Sequence, residues 1–268
     1  MTDYPSTIPT ILHRLEASSS RYAWMNTQPA RARWFHYNVF SIPWRGFEIA
    51  DVLQTDGRLP DMRGQRILDL GCGAGTMDAW LIADQGADVV VGVDRDVSVA
   101  SVVRDATVDA TRARLLLVQA DATLLPIADC SIDIALSYDS IHSAGITHEL
   151  LVDEVFRVIR PGGHLVVKMV NRGFPPYGFL GTRGVQALAA SRLMRTDATA
   201  RLAGLIQPNS ISSFRAVRMV RTAGFTHVEL YNRLTRAARG LTRWILPDVI
   251  LVATKPTPPY ITSHKPVT

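Results

Sequence analysis

The sequence predicts an α/β fold in which a parallel sheet is covered by helices on both faces. Three observations carry this expectation. From residue 66 onward, short apolar runs alternate with helix-length amphipathic segments. The first run enters three alternate glycines, Gly71, Gly73 and Gly75. Acidic residues then mark the ends of three successive runs, at Asp69, Asp94 and Asp121. Strands that alternate with helices of this length form βαβ units, which need a parallel sheet.

Taken in order, 66–70 is a strand and 76–86 an apolar-periodic helix closed by Gly86. Residues 88–93 form a buried strand, 97–110 a helix, and 115–118 and 132–136 two further strands. An amphipathic helix follows over 147–159. Pro161, Gly162 and Gly163 then turn the chain into a strand over 164–170. Beyond this the order loosens into a Gly/Pro/aromatic loop over 173–184 and an Ala/Leu/Arg-rich helical stretch to 205. A helix over 210–222 ends at Gly224, and two late strands, 225–231 and 249–253, flank a basic loop at 232–243. We read 61–256 as the main domain, with 171–224 as a substrate-side insertion and 257–268 as a flexible tail. Residues 1–60 form an aromatic helical segment or lid that holds Trp24, Trp34 and Trp44.

Composition narrows the classes. At 47% hydrophobic residues over 268 positions the chain is too apolar for disorder and long enough to bury a substantial core. The apolar runs at 89–93 and 115–118 fall far short of the ~18 residues of a membrane span. The start lacks a basic and apolar leader, so a soluble cytoplasmic protein is expected. Cys72 and Cys130 alone build neither a disulfide framework nor a metal site, and no metal is expected. Charge is uneven: net +11 from residue 171 onward against −6 before it. This hints at an anionic acceptor, although a solvated helix surface in an Arg-rich chain gives the same pattern.

The chemistry-bearing segment is Ile67-Leu68-Asp69-Leu70-Gly71-Cys72-Gly73-Ala74-Gly75-Thr76. Alternate glycines let a backbone approach a ligand closely before the next helix begins. Dinucleotides, nucleosides and phosphates all use such turns. A dinucleotide fingerprint wants Gly or Ala where Thr76 stands, and Asp69 would repel a pyrophosphate but suit a cation or amine. Asp94 is placed to accept hydrogen bonds from ribose hydroxyls. Asp121 beside Ala122 is placed to meet an exocyclic amine, with Leu124, Leu125 and Ile127 as walls for a base.

This ordered series resembles the class I S-adenosylmethionine-dependent methyltransferases. It includes 67–75, Val93-Asp94, 119–122, 131–136, 154–165 and Ala223-Gly224-Phe225. The resemblance spans roughly 60–254. It implies a Rossmann-like, doubly wound sheet of seven strands, the last antiparallel and inserted beside the fifth. It implies S-adenosylmethionine as cofactor, held by Asp69, Gly71, Cys72, Gly73, Gly75, Asp94, Arg95, Asp121, Ala122 and Ser137. Arg95 departs from the small or apolar residue many relatives carry.

Methyl transfer is an in-line displacement whose leaving group becomes neutral, so alignment supplies most of the acceleration. A hydroxyl acceptor additionally needs a base with a pKa near 7. His142 and Asp139, after the fourth strand, are the candidates. His148 is expected to face solvent at a helix start. The preferred acceptor is a small molecule methylated on oxygen or carbon: a natural product, sugar or lipid-linked intermediate. An RNA ribose methyltransferase is the alternative, because Lys168 stands where those enzymes carry a lysine. A non-catalytic cofactor-binding protein and an NAD enzyme stand behind it.

Overall fold

The computed structural model describes residues 57–141, 145–174, 209–231 and 248–258, together with Thr10, Ile11 and Arg14. Its elements run β1 (Arg66–Leu70), α1 (Thr76–Ala83), β2 (Val89–Asp94), α2 (Ser98–Ala106), α3 (Asp109–Arg112) and β3 (Leu115–Gln119). They continue with β4 (Ile132–Tyr138), α4 (His148–Val158), β5 (Ile159–Val170), α5 (Ser213–Thr222), β6 (Thr226–Tyr231) and β7 (Asp248–Thr254). The strands form one sheet in the order β3-β2-β1-β4-β5-β7-β6. β7 runs antiparallel to both β5 and β6, while β1 to β5 are parallel. The predicted α/β sheet, with its last strand reversed beside the fifth, is the observed one. The connections step outward from β1 to β3 and then return to β4 on the other side of β1, which opens a crevice at the carboxyl ends of the central strands.

Side-chain alternation along each strand decides which face a residue serves. On β1, Leu68 and Leu70 join the core beneath α4 and α5, with Val155 and Val217. Ile67 points the other way and packs with Trp80, Leu81 and Ile82 of α1. Each fully buried Leu or Ile stabilises the fold by ~1.5–3 kcal/mol, so the two faces clamp β1 rigidly behind the glycines it feeds. By the same alternation the Asp69 carboxyl falls on the α1 face.

Several elements depart from expectation. The helix expected over 97–110 breaks at Thr107, whose hydroxyl donates to the Arg104 carbonyl at 2.6 Å and whose backbone is extended. The turn expected at 161–163 is an irregular stretch inside β5, whose pairing with β4 shifts register between Ile132 and Ile134. Gly163 is required there, since a Cβ would lie 2.6 Å from the Asp133 carbonyl oxygen. In the segment read as an insertion, α5 packs against α4, β6 and β7. Ser212 caps it, accepting from the Arg215 N–H at 3.2 Å. Asn171, at the end of β5, ties it down by accepting from the Ser213 N–H at 2.9 Å. The expectations for the aromatic lid (residues 1–60), the stretch 175–208, the basic loop and the end of the tail lie almost wholly outside the described residues.

Candidate functional site

β1 delivers the chain into a loop whose three glycines all have positive φ: 73° at Gly71, 56° at Gly73 and 71° at Gly75. L side chains disfavour this region. The loop folds back over β2 as the N–H groups of Gly71 and Cys72 donate to the Val93 carbonyl at 2.7 and 3.1 Å. Gly71 is constrained a second time, because a Cβ would lie 2.3 Å from the Cβ of Ser140. Ser140 is held in place: its hydroxyl donates to the Leu70 carbonyl and shares a 2.8 Å hydrogen bond with Ser137. The segment after β4 is thereby latched against the end of β1.

Asp94 braces the loop from β2. One carboxylate oxygen accepts from the Gly73 N–H at 3.1 Å and the other from the Asp96 N–H at 3.2 Å. Each carboxylate oxygen has a second lone pair, so both retain capacity for a ligand's donors. Arg95 reaches across to Asp121 at 2.9 Å, and both side chains remain nearly half exposed. Asp121 also accepts from the Thr123 N–H and hydroxyl at 2.9 and 2.8 Å. Those two bonds, with Arg95 behind them, hold its carboxyl below the usual range.

These elements enclose an open cleft of about 420 Å³. Gly71, Asp94, Arg95 and Ala122 of the expected set line it, together with Leu70, Val93 and Ala120. Ser140, Ile146 and Leu151 complete the lining and were not foreseen. Ile146 and Leu151 belong to the approach and first turn of α4, and their apolar spacing reads equally well as core. The base walls expected from Leu124, Leu125 and Ile127 are not among the lining. Leu124 is exposed and Leu125 is buried in the core, its N–H held by Glu154 at 2.9 Å. Arg157 fixes the same stretch by donating to the Leu125 and Ile127 carbonyls at 3.0 and 2.8 Å. Ser137 lies buried behind Ser140.

Beneath the loop, Asp69 and Asp78 are both buried. Asp78 projects from α1 into the space Gly92 leaves open: a Cβ on Gly92 would come within 2.5 Å of an Asp78 oxygen and 3.0 Å of the Cys72 sulfur. Burial pushes the Asp69 carboxyl up to about 6, with proton sharing with Asp78 working against that rise and the Asp94 charge adding to it. Burial and the Asp69 charge raise Asp78 well above the carboxylate range. The Cys72 thiol is pushed up by burial and then by the charges of Asp78, Asp69 and Asp94, so it is a filler and no nucleophile.

On the acceptor side, Asp139 sits at φ 56°, with its N–H donating to the Lys168 carbonyl at 3.1 Å. Its carboxylate is ion-paired with the buried Lys168 ammonium, which also stands 5.3 Å from the Tyr138 ring centroid. The lysine that motivated the RNA reading is thus committed to Asp139. His142 lies outside the described residues. His148 is buried and does not face solvent as expected. Burial, followed by the Arg215 charge, lowers its pKa, while Glu149 and the backbone of Ile141 and Asn209 work against that shift.

The donor set suits a nucleoside bearing a cation. Small apolar side chains, Ala120 and Ala122, leave room for a flat base. The Asp94 carboxylate offers lone pairs for paired hydroxyls, and Arg95, the only cation of the lining among the described residues, is already matched by Asp121.

Residues 68–167 match the family described as "Methyltransferase domain". A demethylmenaquinone methyltransferase of Clavibacter sepedonicus is 31% identical over 209 residues, covering 72% of this chain and 78% of that protein. A methyltransferase of Streptomyces halstedii is 36% identical over 119 residues, 43% of this chain and 42% of that protein. The chain spans about two fifths of the length of the first curated relatives it matches. A crystal structure of a SAM-dependent methyltransferase from Thermotoga maritima superposes with a TM-score of 0.52 at 19% identity, covering 91% of this chain and 99% of that one. At that identity the likeness speaks to the fold.

Proposed function

Because the chain belongs to the class I S-adenosylmethionine-dependent methyltransferases, we propose that it methylates an oxygen or carbon of a small-molecule acceptor. The observation that carries this reading is the cleft at the carboxyl ends of β1 to β3. There a glycine loop, the Asp94 carboxylate and two alanines converge, in the crevice such sheets use for ligands.

S-adenosylmethionine, when bound, supplies an electrophilic methyl group. The loop 71–75 would carry the methionine end, with Asp69 beneath it. Asp94, which braces the Gly73 N–H, would accept from the ribose hydroxyls. Ala122 would flank the base, and Asp121, fixed by Arg95 and Thr123, would lie near it. Cys72 and Ser137 fill space behind the loop and behind Ser140. Asp139 and His142 are the residues assigned to the acceptor. The ion pair with Lys168 fixes the Asp139 carboxylate, and His142 takes the proton of a hydroxyl acceptor.

The relative from Clavibacter, named for demethylmenaquinone, supports a small apolar acceptor. The net positive charge after residue 170 favours one with anionic groups. The aromatic segment 1–60 and the 171–224 insertion are proposed to close over it. No helix among the described residues is long and apolar enough to cross a membrane.

The test is transfer of labelled methyl from S-adenosylmethionine into fractionated metabolites, RNA and protein by the full chain. Label is expected in a small molecule; label confined to RNA or protein, or none at all, refutes the reading. His142→Ala is expected to lower turnover by about 100-fold with cofactor affinity unchanged. Near-normal turnover removes His142 from the mechanism.

A further inference from the structure

Asp78 is the buried charge-bearing residue that the cofactor reading leaves unused. It is fully buried on α1, and neither of its carboxyl oxygens receives a hydrogen bond from any fixed N–H or O–H. A lone carboxylate in that position is strongly disfavoured. The fold nevertheless makes a specific place for it. Gly92 pairs in register with Asp69 on the neighbouring strand, and the absence of a side chain at Gly92 is what admits the Asp78 oxygen. The same oxygen lies 3.6 Å from where a Cβ on Gly75 would stand, directly under the last glycine of the loop. Asp78 is therefore wedged between Gly92 of β2 and the loop, beside the strand position that Asp69 occupies, and the two carboxyls act on each other electrostatically.

With no cation near, two carboxyl groups so placed do not both ionise, and one proton is shared between them. The charged and titratable groups facing the pair are few. β2 contributes Asp94 and the loop contributes the Cys72 thiol. β4 contributes Leu136, in register with Asp69, and α2 contributes Ala100 against Gly75. Among the described residues, no cation bears on either carboxyl. A positive charge arriving on the loop above would therefore meet a pair whose remaining proton is loosely justified.

We propose that Asp69 and Asp78 share one proton beneath the glycine loop and release it when the sulfonium cofactor binds, so that the pair sets selectivity for S-adenosylmethionine over its uncharged thioether product. The inference rests on the reading that the methionine end of the cofactor lies over 71–75. The balance is simple: the protonated pair and the cationic cofactor give a complex with the ionised pair plus one proton to solvent. S-adenosylhomocysteine keeps the α-ammonium but lacks the sulfonium charge, so it displaces less of the proton. Asp78 acts through the loop and through Asp69, so it is a positioning residue.

The experiment is titration calorimetry of the full chain with S-adenosylmethionine and with S-adenosylhomocysteine, each in two buffers of different ionisation enthalpy, between pH 5 and 8. Greater proton release is expected with the sulfonium ligand. The ratio of the two affinities should shift toward S-adenosylmethionine by about tenfold as pH rises, within the range of coupled binding events. In Asp78→Asn the difference in proton release should vanish and the ratio become flat with pH. The wild-type measurement stands alone if that variant folds poorly. Equal proton release for both ligands, with both bound, overturns the coupling and leaves the cofactor site standing. Binding of neither ligand overturns the cofactor reading and this inference with it.

Discussion

Replacing Gly71 with alanine places a methyl carbon 2.3 Å from the Cβ of Ser140, whereas carbon atoms rest at about 3.5–4.0 Å. Something must move by more than an ångström. Ser140 resists, because its hydroxyl is bonded to the Leu70 carbonyl and to Ser137, and losing each bond costs about 1 kcal/mol. Overpacking adds ~1–3 kcal/mol, and the φ of 73° adds ~1–2 kcal/mol for any residue with a Cβ. The variant should therefore lose ~4–7 kcal/mol, which for a chain of this size lowers Tm by ~8–28 °C. Scanning fluorimetry measures this directly, and titration with S-adenosylhomocysteine reports the cleft. Ser140→Gly in the Gly71→Ala background should restore the packing share of the loss and leave the φ share. A single variant that melts within about 3 °C of wild type, with unchanged affinity, would refute the account of the latch.

Three further outcomes are expected. Asp94→Asn should weaken S-adenosylhomocysteine binding by about 10–100-fold by calorimetry, since hydrogen bonds to a charged acceptor are worth ~1.5–3 kcal/mol; unchanged affinity would remove Asp94 from the site. For Asp133 burial works upward, but the Arg66 side chain and N–H and the Arg160 side chain outweigh it, so the carboxyl titrates below its ordinary value. The unfolded state then binds the proton first as pH falls, so this stabilisation is present above about pH 4 and is lost below it; Asp133→Asn should be less stable than wild type at pH 7 and converge with it near pH 3 in thermal melts. For the Asp69–Asp78 pair the sign reverses. Raised carboxyls make the folded state the better proton binder, so stability falls as pH rises above about 4. Asp78→Asn should melt above wild type at pH 8, with the gain shrinking toward pH 4, and a variant less stable at pH 8 would contradict the buried-pair account.

Much of this molecule was legible along the chain. Arg66–Leu70 is predicted and observed with the same bounds, because a buried central strand leaves an apolar run that glycines terminate. Asp94 emerged as a cleft residue since a strand end followed by a polar stretch has one natural place in a parallel sheet. Other residues left no such trace. α1 is buried at Thr76 and Asp78 as well as along its apolar positions, so periodicity did not set Asp78 apart from solvent-facing acids. His148 begins an amphipathic helix as a surface residue would, and only the neighbours at Ile141 and Asn209 decide that it is buried. Asp133 reads as one more polar position in an alternating strand, yet it accepts from the Arg66 N–H at 2.7 Å and anchors Arg160.

Local pattern by itself determined the order of strands and helices along the chain and the glycine loop, because each rests on residues within a few positions of one another. Tertiary structure alone decided which distant side chains meet. Ser140 reaches the Leu70 carbonyl across 70 positions, Lys168 finds Asp139 across 29, and Asp78 packs against β2 only because Gly92, in register with Asp69, carries no side chain. Those meetings follow from the order in which the strands line up and the face each side chain is given, and neither is set until the sheet has formed.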